Sequence, residues 1–435
     1  MGLNKDQQKA VEFINNWWKC NQLYLVIDAK AGTGKTYTIN HVLKKLPNCS
    51  PLLLCPTNEA LDQLRDKLDS PDDYVLKTVD SALGITPVTD SKDLEFEHVA
   101  IPSLWDNFNL AILDECSMVD DFHLNLLRSI GIKIIFVGHS SQLPPVVKKR
   151  SLRDKCISPV FAQGWETITL TKPMRNTGDL WGFNNHVEGL IYKPDLLQGT
   201  YDIKKMKLES YLRSETGKRD FLSGKTKIVA WTNAGVDKLN NQLRDIIHGD
   251  KARKNKYLLG DKIIITNPYI VTEIENLSEQ KLLGLKRENE EILYSNAKAT
   301  VIASKIVTIR LNKYLSFPCY KTEVKHKGRR YFFYSVAYPS DYKKIEDHYE
   351  QKAWGMKSKQ AKVKAYRERR TLLSCFANIK HYFAATSHRL QGTSIPKIIV
   401  MYNDIVKNPN RVERAKCLYV ATSRCIDELM VYRGH

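Results

Sequence analysis

Residues 23–46 constrain this chain more tightly than any other stretch. The apolar run Leu23-Tyr-Leu-Val-Ile-Asp28 leads straight into Ala29-Lys-Ala-Gly-Thr-Gly-Lys35-Thr36, and a helix-compatible segment follows over 37–46. A strand that turns through paired glycines into a helix gathers backbone N–H groups at a helix N-terminus, where they bind phosphate. Gly32 and Gly34 let the backbone curl around the anion, Lys35 reaches the β and γ oxygens, and Thr36 offers a hydroxyl to Mg2+. The first glycine of G-x-x-x-x-G-K-T is Ala29 here, which the loop accepts as long as that residue stays out of positive φ.

A nucleotide site also needs a carboxylate at the end of a neighbouring strand. Leu110-Ala-Ile-Leu-Asp114-Glu115 places two acids at the carboxyl edge of an apolar run, where open α/β sheets bind ligands. Asp114 suits a metal shell, and Glu115 suits the orientation of an attacking water. Adjacent acids are common on surfaces, so it is the phosphate loop upstream that gives this pair its meaning.

Short apolar runs at 23–28, 51–55, 110–115 and 133–138 are separated by helical patterns such as 58–68 and 119–130. This alternation predicts a parallel sheet with helices on both faces. Residues 85–109 interrupt it with Pro, Asp and Ser among short apolar patches, and they read as a small inserted element of hairpin type. The rhythm returns at 227–231 and 234–247 and resumes at 382–386, 398–402 and 429–432. Between these, 261–270, 299–311 and 331–338 are rich in β-branched and aromatic residues and predict a small β unit within 260–380. Residues 351–370 carry eight basic residues and one acid, which fits either a solvated helix face or a nucleic-acid contact.

At 435 residues the chain is long enough for about three compact units. Its 43% hydrophobic and 26% charged residues exclude a disordered, collagenous or coiled-coil chain. Lys and Arg number 67 against 48 Asp and Glu, a formal charge of +19, which makes nucleic acid the first partner to test. Nine cysteines without a C-x-x-C pair or zinc-like His spacing read as reduced thiols. No apolar run approaches the ~18 residues of a membrane span, and residues 1–20 are polar and amphipathic rather than signal-like. A cytoplasmic protein with no membrane partner is the expectation.

Further blocks follow in order: Asn4-Lys-Asp-Gln7, Cys55-Pro56-Thr57-Asn58-Glu-Ala60, Lys77-Thr78-Val-Asp-Ser-Ala-Leu83 and Val137-Gly138-His139-Ser-Ser-Gln142-Leu-Pro-Pro145. The second half adds Thr171-Lys-Pro-Met-Arg175, Trp231-Thr232-Asn233, Thr386-Ser-His388-Arg-Leu-Gln391-Gly392 and Leu418-Tyr419-Val-Ala-Thr-Ser-Arg424. With these in sequence, the chain resembles a superfamily 1 helicase of the 5′-to-3′ branch, the RecD/Dda-like group. Two departures stand out: in the Val137–Pro145 block, which resembles motif III of that group, His139 replaces the usual Asp after the glycine, and Arg389 stands where part of the group has Lys.

The resemblance implies an α/β fold of two RecA-like parallel-sheet lobes. The first covers 1–84 and 110–180, with a pin hairpin inserted at 85–109. The second covers 181–259 and 381–435, interrupted by an SH3-like β insertion with a basic helical stretch at 260–380. It further implies an ATP-dependent enzyme that moves 5′ to 3′ on single-stranded DNA and unwinds duplex. ATP would meet Gln7, Gly32, Thr33, Gly34, Lys35, Thr36 and Gly392, with Mg2+ held by Thr36 and Asp114. Catalysis would fall to Lys35, Glu115, Gln142, Arg175 and Arg424. Nucleic acid would meet Pro56, Thr57, Asn58, Thr78, Thr232, Asn233, Thr386 and His388, the last having a core histidine as its alternative. Phe96, alone among the charges of 90–98, either packs on its lobe or stacks on a base at the fork. Expected partners are single-stranded and forked DNA and replication or recombination proteins, with the chain itself a monomer. The competing readings are a P-loop kinase, a nucleic-acid binder with a vestigial ATPase, and an RNA helicase of the same superfamily.

Overall fold

A computed structural model describes residues 2–87, 96–98, 100–145, 157–174, 178–191, 202–275, 277–284, 292–293, 296–313, 315–356 and 358–434. Six parallel strands form the first sheet in the spatial order Val75–Thr78, Pro51–Cys55, Leu110–Leu113, Lys133–Gly138, Tyr24–Ala29, Thr167–Leu170. Covered on both faces, the inner strands are continuous apolar runs, and Leu52, Leu53 and Leu54 are fully buried. Successive side chains go to opposite faces. Leu25 and Ile27 join the helices Lys5–Trp18 and Lys35–Lys45, while Val26 joins Asp121–Ser129 on the other side.

The sixth strand, Thr167–Leu170, carries no apolar run in the sequence. It is an edge strand whose threonines and half-exposed pattern set it apart from its neighbours.

A second parallel sheet runs Ala384–Thr386, Thr226–Ala230, Ile395–Met401, Cys425–Tyr432. The two sheets, each packed with helices, are two RecA-like α/β lobes. Between the strands Thr226–Ala230 and Ala384–Thr386 the chain builds an antiparallel sheet in the order Arg329–Val336, Ser316–His326, Lys298–Arg310, Lys262–Ile265, Ile379–His381. Ser316–His326 was missed in the sequence because Pro318 and interleaved charges argue against a strand. The helices Pro339–Trp354 and Lys359–Ser374 lie in the chain between Arg329–Val336 and Ile379–His381 and divide the basic run between them. Their inner faces bury Ile345, Tyr349 and Leu372. Lys362 and Lys364 lie on the exposed side.

Within the stretch read as an inserted hairpin, Ile85–Pro87 pairs antiparallel with Phe96–His98, Pro87 opposite Phe96. Residues 88–95 and the Phe96 side chain lie outside the described set. No helix among the described residues is long and apolar enough to cross a membrane.

Candidate nucleotide site and nucleic-acid track

The phosphate loop begins where the strand Tyr24–Ala29 ends. Ala29 completes that strand opposite Leu170 and stays out of positive φ, so the alanine replaces the usual glycine without strain. Gly32 (φ 81°) and Gly34 (φ 82°) are left-handed, the latter capping the helix Lys35–Lys45. A Cβ on Gly34 would also collide with Gln7 Nε2.

Gln7 is fully buried behind the loop. Its Nε2 donates to the Thr33 carbonyl at 3.1 Å, and its Oε1 accepts from Asn4 N–H at 3.0 Å. Asn4 Oδ1 in turn accepts from Gln7 N–H, closing a capping box that starts the first helix and braces the loop together. Thr33, 1% exposed, donates its hydroxyl to the Lys30 carbonyl. Both residues thus support the loop from behind.

In front of the loop lies a cavity of about 300 Å3, walled by Lys35, Thr36, Asp114 and Glu115 from the first lobe and by Gly392 and Arg424 from the second. Lys35 Nζ is 3.4 Å from Glu115 Oε1 and 4.0 Å from Asp114 Oδ1, and Arg424 Nη1 is 3.7 Å from Glu115 Oε1. Burial alone would push the Glu115 carboxyl up, but Lys35 and Arg424 outweigh it and hold it at about 2. Burial raises Asp114, against the pull of Lys35. Burial would lower Lys35, but Glu115 and Asp114 raise it. Glu115 itself adopts the left-handed region, φ 56° and ψ 39°, a strain of about 1–3 kcal/mol for a residue with a side chain.

With its amide turned to satisfy its neighbours, Gln142 accepts from Arg424 Nη2 at 2.8 Å and donates to Glu115 Oε2 at 2.9 Å. One side chain therefore links the acid of the first lobe to the guanidinium of the second. Gln391 Nε2 reinforces the seam, donating to Ser117 Oγ and the Leu143 carbonyl. In the sequence Gln391 stands within a recognisable block but carries no assigned role. The Thr36 hydroxyl and the Asp114 carboxylate are hard oxygen donors on one cavity wall, a set that fits Mg2+.

A second pattern lies at other strand ends. Thr57, Thr78, Thr232 and Thr386 each follow or end a strand and each cap the next helix, their hydroxyls accepting from Ala60, Ser81, Gly235 and Arg389 N–H. The strands concerned are neighbours within each sheet. Each lobe thus carries two adjacent threonine-capped turns at the carboxyl ends of parallel strands, with Pro56, Asn58 and Asn233 beside the caps. His388 is 3.9 Å from Glu413, and burial lowers its imidazole. Lys298 pairs with Glu59, and Lys327 with Asp62 at 2.6 Å, so the antiparallel sheet touches the helix that Thr57 caps. Arg175 lies outside the described residues.

The fold and site define a P-loop protein of two RecA-like lobes with its nucleotide cavity at their seam. Residues 7–148 match the AAA_19 family model, described as AAA domain. The chain is 22% identical over 510 residues to the uncharacterized protein R530 of Acanthamoeba polyphaga mimivirus, covering 97% of each chain. It is 25% identical over 292 residues to the ATP-dependent DNA helicase dda of Enterobacteria phage T4, covering 62% of each. Its fold is similar to that of the Pif1 helicase from Bacteroides solved with ADP-AlF3 and ssDNA, at TM-score 0.52 and 18% identity over 99% of this chain and 92% of that one. In its motifs the chain is thus similar to the phage Dda helicase, and in its fold to the Bacteroides Pif1 helicase.

Proposed function

We propose that the chain is a nucleic-acid-stimulated ATPase that moves 5′ to 3′ along single-stranded DNA and unwinds duplex. The observation that carries this reading is the seam itself: Gln142 joins Glu115 to Arg424 across the cavity, so hydrolysis and lobe position are mechanically one event. Lys35 and Arg424 stabilise charge on the transferring phosphoryl group, a contribution on the order of 10³ to 10⁵ in rate for a guanidinium of this kind. Glu115, held ionised by its two cations, orients water and takes its proton. Thr36 and Asp114 would hold Mg2+, which supplies further charge neutralisation when bound.

DNA lies across both lobes on the four threonine-capped turns, whose helix N-termini suit backbone phosphates. Lobe closure on ATP shortens the distance between the two pairs of grips. In this reading residues 1–84 with 110–180 and 181–259 with 381–435 are the moving lobes, 85–109 is the pin, and 260–380 is the β insertion. The choice of DNA rests on the relatives, since the phage enzyme is named a DNA helicase and the Bacteroides protein was solved with ssDNA; the direction is what the motif resemblance implies. Phosphate release measured with no polymer, with single-stranded DNA and with RNA tests the proposal. Stimulation by DNA is expected. Turnover indifferent to any polymer would refute it, and stronger stimulation by RNA would assign the RNA-directed reading.

A further inference from the structure

His139 stands where the motif resemblance led us to expect an aspartate, and its surroundings explain the exchange. It follows the strand Lys133–Gly138, whose Gly138 lies opposite Asp28 on the neighbouring strand. The carboxylate missing from position 139 is thus present one strand away. His139 Nδ1 donates to Asp28 Oδ1 at 2.7 Å, and Nε2 donates to Glu188 Oε1 at 3.0 Å. Glu188 sits on the helix Asp179–Gly189, whose Phe183 and Val187 belong to the apolar core of the second lobe.

The same carboxylate reaches the phosphate loop. Lys30 Nζ is 2.8 Å from Glu188 Oε2 and donates to Asn185 Oδ1 at 3.0 Å. Ser140 donates to Asp28 through N–H and hydroxyl, and Ser141 donates its hydroxyl to Glu188 Oε1. From the helix Arg411–Ser423, Lys416 Nζ donates to the Ser140 and Gln142 carbonyls at 2.8 and 3.0 Å, while Tyr419 meets the imidazole edge-on.

Both ring nitrogens face a carboxylate oxygen, so both must carry a proton, and the ring is an imidazolium. Asp28, Glu188, Lys30 and charged His139 sum to zero. A neutral ring would aim a lone pair at one carboxylate and leave the cluster anionic in a buried place, where unpaired charge is costly.

We propose that His139 is a positioning residue: protonated and clamped between Asp28 of the first lobe and Glu188 of the second, it sets the loop 139–142 and so couples lobe position to Gln142. The coupling rests on the ATPase reading above. The charge logic stands apart from it and makes a counterintuitive demand. Aspartate at 139 brings three carboxylates together and fails here, whereas removing one of the other two restores function.

The test uses the full chain with His139→Asp, His139→Asn, Glu188→Gln, and the doubles His139→Asp/Glu188→Gln and His139→Asp/Asp28→Asn. Three quantities are followed: binding of a fluorescent ATP analogue, DNA-stimulated turnover, and thermal unfolding. His139→Asp is expected to lose stimulated turnover by at least about tenfold, the equivalent of one charged hydrogen bond. Analogue binding should change by less than about threefold, since the ring touches no nucleotide-binding group.

Either double recovers most of the loss. Wild-type stimulated turnover falls on an alkaline limb that His139→Asn lacks. Full activity of His139→Asp, or a folded double no better than the single, overturns the proposal. If the wild-type chain hydrolyses no ATP, the same ranking is read from unfolding midpoints. The ATPase reading then fails while the clamp stands or falls alone: doubles that unfold no later than His139→Asp overturn it.

Discussion

Glu115 combines a left-handed backbone with a carboxylate pinned between two cations. Strain of this sort persists where the surroundings over-determine it, and here Asp114, Lys35, Gln142 and Arg424 all bear on one side chain. Glu115→Gln should keep nucleotide binding and lose hydrolysis by roughly 10² to 10⁴, the usual worth of a general base. Single-turnover phosphate release checks this, and unchanged turnover would assign the water to another group. Because Glu115 stays ionised down to about 2, an acid limb in the rate profile near pH 4 would have another origin.

His123 supplies a separate pH signature. Its Nδ1 donates to Asp120 at 2.6 Å and its Nε2 to Asp80 at 2.9 Å, tying the helix Asp121–Ser129 to the turn that follows Thr78. Burial would lower this imidazole, but the two carboxylates hold it at about 9. A group raised in the folded state stabilises fully below its ordinary value of 6.5, and the benefit is lost as pH rises through 9. The unfolding difference between wild type and His123→Gln should therefore be on the order of 2 kcal/mol at pH 6 and vanish by pH 10. A difference independent of pH would mean packing rather than charge.

At the scale of elements, legibility followed how local each signal was. The inner parallel strands were readable because burial on both faces demands unbroken apolar runs, as Leu52–Leu53–Leu54 show. Thr167–Leu170 and Ser316–His326 were not, since an edge strand and a strand carrying Pro318 dilute that pattern. The site divides in the same way. Gly32 to Thr36 and Asp114–Glu115 announce themselves within a few residues. Asp28, Glu188 and Lys416 carry no local mark, and their meaning arises only from contacts across 111, 49 and 276 residues of chain.

The basic run belongs to this scale too. Split across two helices with an apolar inner face, it leaves Lys362 and Lys364 outward. Reversing the charges of Lys362, Lys364 and Arg367 should flatten the dependence of single-strand affinity on salt by roughly 0.7 for each phosphate no longer neutralised. An unaltered slope would make the run a solvated face.

At the scale of the whole molecule, two parallel sheets meet over one cavity, and motion of one lobe against the other must be vectorial if it is to move a strand. Duplexes with a 5′ or a 3′ single-stranded tail decide the polarity. Unwinding from the 5′ tail is expected, and efficient unwinding from the 3′ tail alone would contradict the direction proposed. The excess of 67 basic over 48 acidic residues also predicts faster strand capture at low ionic strength, where long-range attraction is unscreened.

The interrupted second sheet has a consequence for how the chain acquires its shape. All strands of the first sheet occur by residue 170, but Thr226–Ala230 must wait for Ala384–Thr386 and Ile395–Met401, with the antiparallel sheet made in between. Distant pairings form late because the loop must close before contacts reward it. Pulsed hydrogen exchange during refolding should protect Leu53 and Ile112 well before Val229, and simultaneous protection would contradict that order. In a growing chain, Thr226–Ala230 would be an unpaired apolar edge for the time it takes to make more than a hundred further residues, the interval in which such edges find wrong partners.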